Sequence, residues 1–150
     1  MQYLHQLGLL HLLPALVSQV IVPPAVVAEL AAGRALGFNL PDPANLQWVV
    51  VRQPVSAPAL PLASGLGPGE REVLALALES SDAIVILDDQ LARQIALTLG
   101  LRLTGTLGIL LDAKKRGLIN EVAPLLDQLQ NLRFRLAPQT RAAVLKLAGE

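Results

Sequence analysis

Cysteine is absent from the 150-residue chain, which removes disulfide frameworks, zinc–thiolate sites and thiol catalysis from consideration. Aromatic residues make up only 3%, a poor supply for the base-stacking platforms of single-strand binders. Charge is also scarce, at 16% of residues, and it is balanced, twelve Lys+Arg against twelve Asp+Glu. No global field therefore draws the chain to nucleic acid or anionic lipid, and any such contact has to come from a local patch. His5 and His11 are separate and sit in apolar surroundings, so they suggest no zinc pair. Neither an HExxH nor a Ser-His-Asp pattern occurs.

No charged residue precedes Glu29. A membrane-spanning helix needs about 20 mostly apolar residues, and Gln6, His11, Pro14, Ser18, Gln19 and Pro23-Pro24 break this stretch into short pieces. The basic start and small-residue cleavage site of a signal peptide are missing. The expectation is no membrane segment and a cytoplasmic location.

What the chain has in quantity is apolar residues, 53% of the total, with a mean hydropathy of +0.50. That composition excludes a disordered tail. The length fits one domain over 1–150, with helices at about 120–148 appended to its core. Leu4, Leu7, Leu10 and Leu13 recur at helical spacing until Pro14 interrupts them. Val20 to Val22 reads as a buried strand stopped by Pro23, and a helix from Ala25 to Ala32 follows, ended by Gly33. A strand is expected at Trp48 to Val51, then a Pro/Ala-rich connector from Pro54 to Pro68. Beyond it the pattern predicts a helix over Glu70–Glu79, a strand over Ala83–Leu87, a helix over Leu91–Leu99 and a strand over Leu101–Leu103. Thr106 is placed to cap a helix running to Arg116, and two further helices lie near Glu121–Leu132 and Pro138–Ala148. Alternation of this kind points to an α/β fold with a mostly parallel sheet.

Ligands of parallel sheets bind beyond the carboxyl ends of the strands, which singles out Leu87-Asp88-Asp89. Two adjacent carboxylates there suit a hard divalent cation, or else one caps the next helix while the other is solvated. Glu29 is a lone acid in an apolar helix, to be paired, metal-bound or at the surface. Glu70 and Glu72 open a helix whose positive end favours carboxylates. The turn Thr104–Gly108 is either a plain cap or a phosphate cradle without the Lys of a P-loop. Lys114-Lys115-Arg116 complements a helix C-terminus and is also the densest basic patch in the chain.

Four segments together resemble the PIN-domain nuclease superfamily, in its branch of small nucleic-acid-binding proteins related to VapC-type toxins. They are Leu9–Leu13 with Val22–Leu30, Gly69–Glu72, Leu87–Asp89 with Ala92-Arg93, and Thr104–Gly108 with Ala113–Ile119. The resemblance implies a three-layer α/β/α sandwich whose clustered acids hold Mg2+ or Mn2+ and cleave RNA. It assigns catalysis and metal binding to Glu29, Glu72, Asp88 and Asp89, with Glu70 a nearby candidate. Thr106 resembles the polar residue beside such sites, and Lys115 and Arg116 are candidates to hold the RNA backbone. The family's N-terminal strand, with its Asp, has no counterpart before Leu4.

The leading expectation is a metal-dependent ribonuclease, with the toxin of a toxin–antitoxin pair as its model and an antitoxin protein as partner. The alternative is a catalytically inactive PIN-like module that binds RNA or protein. An open sheet edge where the strand is missing favours a homodimer. A small-molecule-binding α/β domain using the Thr104–Gly108 turn is a third option.

Overall fold

A computed structural model of the chain describes residues 1–56 and 65–150. Most of the expected Pro/Ala-rich connector falls on 57–64 and lies outside the described residues. The chain forms two compact units, a sheet unit of Gln19–Gly105 and a helical unit of Met1–Ser18 with Thr106–Glu150.

The sheet unit contains two parallel strand pairs. Strand β1 (Val20–Val22) pairs with β2 (Val49–Val51), in the register Val20 to Val49. Strand β3 (Ile84–Ile86) pairs with β4 (Arg102–Thr104), Ile84 opposite Arg102. Among the described residues no strand joins the two pairs into one sheet. Parallel strands need crossovers, and helices supply them. Helix α3 (Pro24–Ala35) follows β1, and α4 (Pro68–Leu78) precedes β3 and packs against both α3 and β3. Helix α5 (Gln90–Thr98) links β3 to β4.

The sequence reading stops α3 at Gly33, but the helix continues through it to Ala35. A Cβ at Gly33 would collide with the Leu40 side chain, so this glycine makes room for a neighbour and does not end the helix. The left-handed residue beyond the helix is Gly37, at φ +88°. The core of the sheet unit is built from Leu74 and Ala77 of α4, Val85 and Leu87 at β3, and Ala92 and Ala96 of α5. The four-residue spacing of Ala92 and Ala96 puts both on one face of α5. Leu74 is wholly buried, and its truncation to Ala would cost about 2–5 kcal/mol.

In the helical unit, Gly8 at φ +71° separates α1 (Gln2–Gln6) from α2 (Leu12–Leu16). Pro14, expected to interrupt the helical run, lies inside α2 as its third residue, where an absent N–H leaves no intrahelical bond unmade. Helix α6 (Thr106–Lys115) packs against α2 and against α8 (Pro138–Ala148), and α7 (Ala123–Asn131) lies between α6 and α8 in sequence. Leu12, Leu13, Leu110, Val122, Leu126 and Leu129 are fully buried. Tyr3 meets Phe134 edge to face, with ring centroids 4.9 Å apart. No helix of the described residues is long and apolar enough to cross a membrane.

Candidate functional site

Most acids of the sheet unit accept hydrogen bonds from backbone amides. Glu72 of α4 accepts the Ala25 N–H of α3 through Oε2 at 2.7 Å. Glu29 of α3 accepts the Gly69 N–H of α4 through Oε1 at 2.9 Å. Glu70, the third residue of α4, reaches back to the Gly67 N–H at 2.6 Å. This is one half of a capping box, whose other half Gly67 has no side chain to supply. Asp89 caps α5, its Oδ1 accepting the Ala92 N–H at 2.9 Å. Of the two readings of Asp88-Asp89, helix capping therefore describes Asp89. Asp88 is exposed at the carboxyl end of β3.

Around Asp88 the two strand ends are drawn together by an arginine. Arg93 of α5 donates through one Nη1 to the Leu87 carbonyl at 2.8 Å and to the Thr104 carbonyl at 3.2 Å. Gly105 completes this turn, and a Cβ there would stand 2.8 Å from Asp88 Oδ1 and 3.0 Å from Arg93 Nη1. In the sequence Arg93 stands out only within the Leu87–Arg93 segment. Its signal was available, since a cation four residues after a strand-end Asp pair can reach back over the strand ends.

The remaining candidates lie in the helical unit. Thr106, expected as the N-cap, is instead the first residue of α6 and is buried, 2% exposed. Lys114 at the end of α6 is engaged, its Nζ 2.9 Å from Glu150 Oε1. Lys115 and Arg116 are exposed. Charge is divided between the units. The helical unit holds seven Lys/Arg against four Asp/Glu, and the sheet unit five against eight. The neutral total conceals this division.

Glu150 was not singled out in the sequence. Its carboxylate accepts the Val122 N–H at 2.7 Å and the Ala123 N–H at 2.8 Å, capping α7. These two amides, with the Lys114 ammonium, hold its carboxyl well below the ordinary range, at about 2.

A resident divalent cation needs several carboxylates converging on one point. Here each of Glu29, Glu72 and Asp89 already spends an oxygen on a backbone amide. Among the described residues no three His, Cys, Asp or Glu side chains come together as a metal-holding group. Among the described residues, the arrangement of these acids does not fit a resident metal centre.

A family model for DUF3368, a PIN domain, matches residues 1–150. Neither a curated protein nor a solved structure matches the chain. The α/β architecture with short parallel strands agrees with the α/β/α fold of that family. The chain belongs to the DUF3368 family of PIN domains.

Proposed function

We propose that this PIN-family chain acts on RNA, and that the cations of its helical unit hold the phosphate backbone. The observation behind this reading is the charge division. Lys115, Arg116, Arg133, Arg135 and Lys146 are all exposed and take part in none of the ion pairs of the described residues. Cations without acid partners are free to release counterions from a polyanion, which is the main source of affinity for a nucleic-acid backbone. The scarcity of aromatics favours contacts to phosphate over base stacking.

Fluorescence anisotropy with a labelled single-stranded RNA tests this. Binding weakens with salt, with a log–log slope of about −2 to −4 for three to five phosphate contacts. Reversing Lys115 and Arg116 to Glu lowers affinity and flattens the slope by about 1.4. An affinity unchanged by that double reversal, or no binding in low salt, overturns the proposal.

A second reading is phosphodiester hydrolysis, and Asp88 favours it. This acid is exposed at the carboxyl end of a parallel strand, where α/β sheets place their chemistry. Cleavage of RNA with Mg2+ or Mn2+ added, abolished by Asp88→Asn, is the result this reading requires. No cleavage with either ion removes this reading, and cleavage that survives Asp88→Asn removes Asp88 from it. A toxin role with an antitoxin partner would follow only from that activity.

A further inference from the structure

We infer that Glu29 and Glu72 form a reciprocal lock between α3 and α4, each carboxylate capping the other helix, and that this capping role replaces cation binding at both positions. The inference is independent of the RNA reading above.

The need for such a lock is written into both helix starts. A helix leaves its first N–H groups without intrahelical partners. In α3 the N-cap is Pro23 and the first residue Pro24, and neither carries an N–H. The third helical residue, Val26, donates to the Pro23 carbonyl at 3.1 Å. The one orphan donor left is Ala25, and Glu72 takes it at 2.7 Å. In α4 the N-cap is Gly67 and the first residue Pro68. Glu70 takes the Gly67 N–H, and Glu29 takes that of Gly69 at 2.9 Å.

Pro23 and Gly67 have no side-chain acceptor, so neither helix can cap its own second residue in the usual way. Each instead receives a carboxylate from the other. Both acceptors lie at a helix N-terminus, where negative charge is favoured. Gly69 is fitted to its partner. A Cβ there would come 2.6 Å from Glu29 Oε2, 3.0 Å from Glu29 Cδ and 3.0 Å from Val26 Cγ2. Only glycine lets the Glu29 carboxylate come this close to the helix start.

The test uses Glu29→Gln, Glu29→Ala, Glu72→Gln and Glu72→Ala in the full chain. Melting temperature is followed with and without millimolar Mg2+ or Mn2+, and amide exchange by NMR. A Gln carbonyl still accepts a hydrogen bond, so the Gln variants melt between wild type and Ala. The Ala variants melt about 3–6 °C lower than wild type. Exchange at the Gly69 amide accelerates about tenfold or more in Glu29→Ala, and at the Ala25 amide in Glu72→Ala. A cation that leaves the melting temperature alone, or raises it equally in wild type and Gln variants, agrees with the lock. A rise of several degrees in wild type that both Gln variants abolish makes the acids ligands and overturns it. Unchanged exchange at Gly69 and Ala25 overturns it as well. Should an Ala variant not fold, the Gln variant decides: faster exchange than wild type at its target amide supports the lock, and exchange equal to or slower than wild type overturns it.

Discussion

Arg93 donates to the Leu87 carbonyl at 2.8 Å, and the same Nη1 reaches the Thr104 carbonyl at 3.2 Å. One guanidinium on α5 thus ties together the carboxyl ends of β3 and β4. The ladder itself ends there, with the Leu87 N–H donating to the Thr104 carbonyl at 3.0 Å. Hydrogen bonds from a charged donor are worth about 1.5–3 kcal/mol each when partly buried. Arg93→Ala is therefore expected to destabilise the chain by about 1–3 kcal/mol in chemical denaturation. Arg93→Lys recovers only part of that, because an ammonium lacks the planar fork that fixes the arginine in place. Equal stability of Arg93→Ala and wild type would remove the clamp.

Gly105 stands where this clamp and Asp88 meet. An added Cβ would lie 3.0 Å from the Leu87 carbonyl oxygen, which is backbone, as well as crowding Asp88 and Arg93. The side chains can swing aside, but the carbonyl moves only with β3. Gly105→Ala is expected to cost about 1–3 kcal/mol, the usual range for overpacking. Urea denaturation measures it. If hydrolysis is found and depends on Asp88, Gly105→Ala should lower it too, since the added carbon displaces that carboxylate.

The Glu150 carboxyl is held at about 2 by the Val122 and Ala123 amides and by Lys114. Its folded value lies below the ordinary carboxylate value of 4.5. The unfolded state therefore binds more protons as the pH falls through this window. The contribution is complete above 4.5 and declines as pH drops toward 2. Melting temperature followed between pH 6 and pH 2 should fall less steeply in Glu150→Gln than in wild type. Parallel curves for the two proteins would show that the cap carries no proton linkage. The Lys114 part of the effect is also expected to shrink with added salt.

Much of the fold was legible in the chain because its local signals agree with its packing. Val20–Val22 is bounded by Pro23, and Pro138–Ala148 by Gly149, so both elements appear where the sequence put them. Gly33 misled because it answers to Leu40 and not to the helix end. The site was less legible. The acids Glu29, Glu72 and Asp89 stand out in the sequence by their surroundings, which do not name their partners. Their partners are amides distant in sequence for Glu29 and Glu72, and periodicity carries no record of a contact across 40 residues. Asp89, whose partner is only three residues away, is the acid whose role the sequence could name.

That local role gives the simplest test of the strand-end acids. Asp89 accepts the Ala92 N–H at 2.9 Å from an extended N-cap conformation, φ −65° and ψ 131°. Replacing it by Ala leaves that donor to water and should cost about 0.5–2 kcal/mol. Asn is nearly as good an N-cap, so Asp89→Asn should lie within about 0.5 kcal/mol of wild type. RNA binding by both variants should match wild type, because the cations proposed to hold RNA are in the other unit. Denaturation curves that place Asp89→Asn with Asp89→Ala would show that its charge, and not its capping oxygen, is what the chain uses at this position.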